Sequence, residues 1–470
     1  MEVRAFVVAK KPGNINRWSE GRQEGGCVMT KPGKPYEPVT VPFAATHTGE
    51  TPSIAKWAHP LVWTERMLAT LQTGVRGGKW HTLIDKVFER RNLFVSAEKV
   101  LGKRGAAGVD RQTVDDFDEQ EREELARLHE QLRDDEYRPA AVRRVLIPKP
   151  GSSEKRPLGI PTVRDRVVQT ALVHVIEPIL DNEFHDRSFG FRHGRGCHDA
   201  LRCVEELLAA GHVFVVDADL KSYFDTIPKD RLLAMVNEHI SDSRVLRLIK
   251  SYLDQKILEE CREWTPEAGT PQGAVLSPLL ANLYLNPLDH QMSDLGFEMV
   301  RYADDFVVLC RSREKADAAL AEIQRWVESA GLTLHPTKTR IVDSRVESFA
   351  FLGYSFRGRL RFPREKSHTK LMDRIRELTP RKSGDSLEVI CQRLSQCLRG
   401  WFGYFRHCHW NIFKDYDGRI RDRLRRLQQK RHRRNPHRLP AKQRWPNQFF
   451  SDRGLYSLNE AHIRFVQSTR

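Results

Sequence analysis

Three features predict an α+β fold. A run of apolar residues at 213–220 (VFVVDADL) reads as a buried strand ending in carboxylates. The segment 297–310 (FEMVRYADDFVVLC) has two β-rich runs flanking a polar tip, the pattern of a hairpin. Helical periodicity precedes, separates and follows these strands, so a sheet layer covered by helices is expected.

Residues 1–60 are rich in Gly, Pro, Thr and charge without a sustained period, and read as loop. Met29 lies within them as an alternative start to Met1. Order is expected from about Trp63. Leu68, Leu71, Leu83, Val87 and Leu93 suit helices over 64–100, and 118–134 forms a charged helix with a thin apolar face. VRRVLIPKP is a short strand before a Pro/Gly/Ser loop, and KRPLGIPTV follows as extended chain. Val168, Leu172, Val175 and Ile179 fall at i, i+4, i+7 and i+11, the stripe of an amphipathic helix over 164–183. Leu201, Val204 and Leu208 mark a further helix that Gly211 stops. Residues 229–255, 275–295 and 314–331 read as helices, and 348–356 as one more strand. Beyond 365 strand signals fade and basic helices dominate.

The 470 residues carry 78 Lys plus Arg against 62 Asp plus Glu, a net charge of +16. Residues 1–356 hold 49 basic and 52 acidic side chains, and 357–470 hold 29 and 10. The positive surplus thus sits at one end, the footprint of a polyanion binder. No apolar run approaches the ~18 residues of a membrane span, and the first residues lack a secretory signal core. The eight cysteines include no CxxC pair, which argues against a disulfide framework or four-cysteine zinc site and fits a reducing cytosol. His407, Cys408 and His409 are adjacent, so their side chains diverge and suit a metal poorly.

The paired carboxylates Asp304 and Asp305 are the sharpest local feature. Asp is common in turns, but these two follow Val300 and precede Val307-Val308-Leu309, at the edge of a packed sheet. Paired Asp there suits a hard divalent ion with oxygen ligands, Mg²⁺ above all. Asp217 and Asp219 share one strand face by the period of two. Beside the hairpin, that strand would bring the carboxylates together, enough for two ions about 3.5–4 Å apart. Acidic strand ends also occur as solvated caps.

The order of motifs resembles the bacterial group II intron-encoded reverse transcriptase/maturase family. Arg156-Pro157-Leu158-Gly159-Ile160-Pro161 with Asp165-Arg166-Val167-Val168-Gln169 resembles its first fingers motif. Ser188 to Ala200 resembles the second, with Gly196-Cys197 where the family usually has Ser. Asp217 to Asp225 resembles the first palm motif, and Gly269 to Asn282 the primer- and nucleotide-supporting motif. Tyr302-Ala303-Asp304-Asp305 is similar to the polymerase signature. Gly331 to Thr339 and Phe351-Leu352-Gly353-Tyr354 match the last two. Gly105 to Asp110 resembles an additional N-terminal motif. Seven ordered motifs over about 143–356 are far more specific than one paired-Asp signature.

The resemblance implies a right-hand polymerase: an antiparallel palm, fingers and a helical thumb/maturase region. It implies RNA-directed DNA synthesis from dNTPs on a DNA primer, with two Mg²⁺ ions held by Asp219, Asp304 and Asp305. Phe224, five residues after Asp219, would screen the sugar 2′ position. Arg156 and Arg164 would grip the triphosphate, and Lys338 would serve the leaving group. Gln272 and Gly273 would bring backbone close to substrate. The partners implied are group II intron RNA or another structured RNA template and target DNA, with no membrane, in a bacterial cytoplasm. Rival readings are a host-adopted reverse transcriptase in repair or phage defence, and an RNA-binding splicing cofactor.

In the basic end, Ile420, Leu424 and Leu427 form the apolar side of a helix whose other faces are cationic. Arg421, Arg425, Arg426 and Arg433 are its expected RNA phosphate contacts. Trp401, Phe402, Tyr404 and Phe405 resemble the thumb/maturase segment and suit a core. No cysteine follows Cys408, which implies that the family's cysteine-rich endonuclease is missing. The expected boundaries are a flexible extension at 1–75, fingers at 76–212, palm at 213–356, thumb/maturase at 357–440 and a short DNA-binding-like tail at 441–470.

Overall fold

The computed structural model describes Ile54 and residues 57–75, 78–148, 155–259, 262–270, 273–380, 382, 384–432 and 439–468. Ordered contacts are already present ahead of Trp63, where the sequence pattern expects order to begin, and the rest of the expected extension lies outside the described residues. Trp57 stacks on His193 with ring centroids 4.5 Å apart. Trp63 is buried and its Nε1 donates to the His174 carbonyl at 2.9 Å. Helix Glu65–Thr73 follows, capped by Thr64. The expected extension over 1–75 is therefore corrected for 57–75: two tryptophans bury too much apolar surface to remain loose.

The fingers gather around helix Val163–Asp181, started by Thr162, whose hydroxyl accepts from the Asp165 amide. This helix is buried almost all round rather than along one stripe, because other fingers and palm helices enclose it. Four strands form the fingers sheet: β1 (Val142–Pro148), β2 (Lys155–Ile160), and the three-residue strands β4 (Ile257–Glu259) and β5 (Arg262–Trp264), in the order β2-β1-β4-β5. The expected helix over 229–255 is two helices, Lys229–His239 and Ser243–Leu253. Asp242 divides them by accepting from the Arg244 and Val245 amides.

The palm sheet consists of β3 (Phe214–Asp219), β6 (Glu298–Tyr302), β7 (Asp305–Cys310) and β8 (Arg340–Asp343), antiparallel throughout in the order β6-β7-β3-β8. Alternation along the strands separates two cores. Val216, Ala218, Phe306 and Val308 join the core that contains helices Ser277–Asp294 and Arg313–Ser329. Val215, Val307, Leu309 and Val342 join a second core with helix Cys197–Ala209 and the thumb.

The single strand expected over 348–356 is two, β9 (Phe349–Phe351) and β10 (Tyr354–Arg357), with β11 (Leu360–Pro363) beside β10. Leu352 and Gly353, at φ +47° and +79°, turn the chain between them. Helices Glu365–Leu378, Leu387–Phe405 and Asn411–Arg431 build the thumb. The segment read as a separate tail folds back into it: Trp445, Phe450, Leu455 and Leu458 belong to the second core. Asp417 starts the last helix, Leu458–Ser468, accepting from Ser457 Oγ at 2.6 Å and the Leu458 amide at 3.0 Å. Among the described residues no helix is long and apolar enough to cross a membrane, and the described cysteines are free thiols.

Candidate active site

The register of β3 on β7 places Asp219 opposite Asp305 and Asp217 opposite Val307. Asp217, Asp219 and Asp305 therefore share one face of the sheet. Asp304 occupies the two-residue turn between β6 and β7. Ala303, its neighbour in the turn, stands at φ +60°, which costs a non-glycine residue about 1–2 kcal/mol.

Buried polar groups hold that turn. Arg301 is fully buried and donates from Nη1 to the Ala303 carbonyl and to Asn282 Oδ1, both at 2.9 Å. Its Nε reaches Asp289 at 2.8 Å, in a buried ion pair. Asn282 also donates to the Gly190 carbonyl at 2.7 Å. A Cβ at Gly190 would run into the Ala303 backbone, so only glycine fits beside the turn. Arg301, which the sequence places as the nearest cation to the carboxylate pair, is committed instead to Asp289. Asp289 and Asn282 thus support the site; Asn282 closes the Gly269 to Asn282 motif, and for Asp289 only its polarity on a mostly apolar helix hints at it in sequence.

The electrostatics are those of crowded, desolvated acids. Burial pushes Asp305 up to about 6, and the charges of Asp304, Asp217 and Asp219 add to the rise. Burial likewise raises Asp217 to about 6 against the opposing charge of Arg340. Asp304 is raised by burial, while the charge of Arg156 acts the other way. Asp304 Oδ1 is buried without a hydrogen-bond partner among the described residues. Lys338 Nζ donates to Asp219 Oδ2 at 2.6 Å. Among the described residues no three His, Cys, Asp or Glu side chains close into a ready metal cage, and Lys338 supplies the positive charge beside Asp219. An acceptor-only set with an orphaned oxygen nevertheless fits a hard divalent cation.

Phe224 is buried in the short helix Tyr223–Thr226. Its carbonyl accepts from the Thr270 amide at 2.7 Å, and Tyr223 Oη donates to the Ala281 carbonyl at 2.6 Å. Gly269, at φ +93°, lies too close to the Phe224 carbonyl to carry a Cβ. Gly273, at φ +104°, meets the Gly159 carbonyl and Leu158 of β2. The close approach that requires glycine there is thus to the chain's own fingers strand. Gln272 lies outside the described residues. Gln169 Oε1 accepts from the Val275 amide at 2.8 Å and fixes the same loop, a positioning role its place in the first motif did not reveal.

Arg156 and Arg164 part company. Arg156 lies on β2, where its charge is felt at Asp304. Arg164 is tied to Glu124 Oε2 at 3.2 Å and Gln131 Oε1 at 2.8 Å. These contacts bond two fingers helices around buried Glu124, which Arg164 shares with Arg127.

The four expected RNA contacts divide in the same way. Arg425 is buried and donates to the Trp445 carbonyl at 3.0 Å and Asn447 Oδ1 at 2.7 Å. Arg421 lies 3.7 Å from buried Asp417 and is itself only 15% exposed. Arg425 thus clamps the thumb helix to the returning tail, and Arg421 pairs within the thumb helix itself. Arg426 is exposed, and Arg433 lies outside the described residues.

An antiparallel palm between a fingers core and a helical thumb core is the framework of a right-hand nucleic-acid polymerase. Residues 147–356 match the reverse transcriptase (RNA-dependent DNA polymerase) family, and residues 368–445 match the group II intron maturase-specific domain. The chain belongs to the family of group II intron-encoded reverse transcriptases and maturases. It is 33% identical over 270 residues to protein YkfC of Escherichia coli, covering 49% of this chain and 70% of YkfC. It is 38% identical over 228 residues to the group II intron-encoded protein LtrA of Lactococcus lactis, covering 46% of this chain and 37% of LtrA. A 91 kDa protein in the cob intron of Schizosaccharomyces pombe is 32% identical over 288 residues, covering 49% of this chain and 35% of that protein. The chain thus spans little more than a third of the length of these last two relatives.

Proposed function

We propose that this protein is an RNA-directed DNA polymerase that also binds group II intron RNA and assists its splicing and mobility. The observation that carries the polymerase reading is the Asp219–Asp305 register, with the unpartnered Asp304 oxygen at the adjoining turn. Asp219, Asp304 and Asp305 are the residues that would hold Mg²⁺, two ions in this reading. When bound, the metal lowers the cost of ionising a primer 3′ hydroxyl and offsets charge on the phosphates.

The chain's own groups do the rest. The Arg301–Asp289 pair fixes the turn, so the carboxylates are placed before substrate arrives. Arg156 supplies positive charge for the triphosphate from the fingers side. Lys338, held at Asp219, would supply positive charge for the leaving phosphate. In this reading the ring of Phe224 would exclude a ribose 2′-OH, which favours dNTPs. The basic thumb holds intron RNA through phosphates and shape. A reducing bacterial cytoplasm suits the free thiols.

The test is primer extension with dNTPs on an RNA template, followed by a splicing assay with the intron RNA that encloses the gene. Extension without any effect on splicing would favour a host-adopted polymerase instead.

A further inference from the structure

A cleft lies between the C-terminal end of helix Glu121–Arg133 and helix Ser243–Leu253, and the polymerase reading gives it no role. It holds about 320 Å³, at the lower end of the roughly 300–1,000 Å³ that small-ligand pockets span. Ile84, Leu132, Leu248 and the ring of Tyr137 give it an apolar floor. Arg138, Arg244, Arg247 and Lys250 line its walls.

Those cations are under-compensated. Of the two carboxylates in the cleft, Asp254 is answered by Lys229, 3.4 Å away and not part of the lining. Asp135 is divided between Arg247 at 2.9 Å and Arg244 at 3.8 Å. Arg138 donates to the Asp135 and Tyr137 carbonyls, both at 2.8 Å. Arg244 donates to the Leu132 and Arg133 carbonyls, and its Nε is buried without a hydrogen-bond partner among the described residues. Carbonyls orient a guanidinium without cancelling its charge, so the cleft retains a positive field. The floor is also pre-formed: Tyr137 Oη is held by Asp165 at 2.5 Å and by the Tyr252 hydroxyl at 2.9 Å.

We propose that this cleft captures one unpaired nucleotide of a structured RNA, with its base on the apolar floor and the flanking phosphates on Arg247 and Lys250. The proposal rests on the reading of the chain as an RNA-binding polymerase. The lining offers one small hydroxyl, Ser251, beside the charged groups, so it suits sequence-tolerant seating of a splayed base. Arg247 and Lys250 are exposed and stand three residues apart on one helix, their Cβ atoms about 5–6 Å apart. They offer two separate points to a phosphate chain, rather than one nest for a free nucleotide.

The test uses the full chain and the double variant Arg247→Glu/Lys250→Glu, with Ser251→Trp as a variant that fills the cleft without changing charge. Binding to a stem–loop RNA, to the blunt duplex of its stem and to UMP is measured over a range of salt. The double variant should bind the stem–loop about tenfold more weakly, with the log–log salt slope reduced by about 1.4, near 0.7 per lost single-strand phosphate contact. Ser251→Trp should weaken the stem–loop with the slope unchanged. Duplex binding and extension of a pre-annealed primer should stay near wild type, and an unchanged melting temperature excludes misfolding. Unchanged stem–loop binding, equal losses for stem–loop and duplex, or tight UMP binding would each overturn the proposal. Failure of the wild-type protein to extend a primer would strike the polymerase reading instead, leaving the RNA comparison to judge the cleft.

Discussion

Asp219 and Asp305 face each other across β3 and β7, two like charges in direct register. Opposed like charges destabilise a sheet, and here burial adds a further cost that falls on Asp305. The arrangement is a standing deficit of positive charge, which Lys338 relieves at Asp219 and which a cation would relieve for the group.

That deficit predicts a gain of stability from a loss of function. Asp305 has a folded pKa of about 6, above the ordinary value of about 4. The folded state therefore holds the proton more tightly. Stability from this group is full below about pH 4 and is lost as pH rises through about 6. Asp305→Asn should stabilise the metal-free protein by about 1–3 kcal/mol at pH 7.5, with the gain fading at pH 5, and should reduce primer extension. Denaturant melts in EDTA at both pH values check this; equal stability of variant and wild type at pH 7.5 contradicts it.

Divalent-ion binding should follow the opposite pH course, since ligation requires the carboxylates of Asp304 and Asp305 to be ionised. Mn²⁺ affinity, measured by calorimetry, should weaken as pH falls through about 6. Affinity that stays flat from pH 7.5 to 5 would remove Asp305 from the metal set.

The two fingers arginines should separate kinetically. Arg156→Ala should raise KM for dNTP about tenfold or more with a small loss of stability. Arg164→Ala should leave KM near wild type and destabilise the fold modestly, because buried Glu124 keeps Arg127 but loses one of its two cationic partners. A dNTP defect confined to Arg164→Ala would reverse the assignment.

Arg425 and Arg426 should behave as different kinds of residue. Arg425→Ala should cost about 2–4 kcal/mol, since it strands the Trp445 carbonyl and Asn447. Arg426→Ala should leave stability within about 0.5 kcal/mol and reduce the salt slope of RNA binding by about 0.7. Melting curves and salt titrations on both variants decide the matter.

These adjacent arginines also mark where sequence reading stops. Both sit on a helix that is legible from Ile420, Leu424 and Leu427, and both carry the same chemistry. What buries one is the return of residues 445–458 onto the thumb, a long-range event that no local period encodes. The carboxylates were legible because paired acids at the end of apolar strands contradict the local trend. The Arg301–Asp289 clamp was not, since its partners lie on different elements. Strands β4, β5 and β8, of three or four residues, contain too few alternations to register as a period. The break at Leu352-Gly353 hid within an aromatic run that reads equally well as one strand.

The central claim is that Asp304, with Asp219 and Asp305, carries the chemistry of nucleotide addition. The most direct measurement compares wild type and Asp304→Ala in Mg²⁺-dependent primer extension on an RNA template, with RNA binding followed in parallel. Expected are extension by the wild type, loss of at least about a thousandfold in the variant, and RNA affinity within about twofold, because Asp304 is an acidic turn residue and belongs to none of the cationic groups proposed to hold RNA. Extension by Asp304→Ala at the wild-type rate would contradict it.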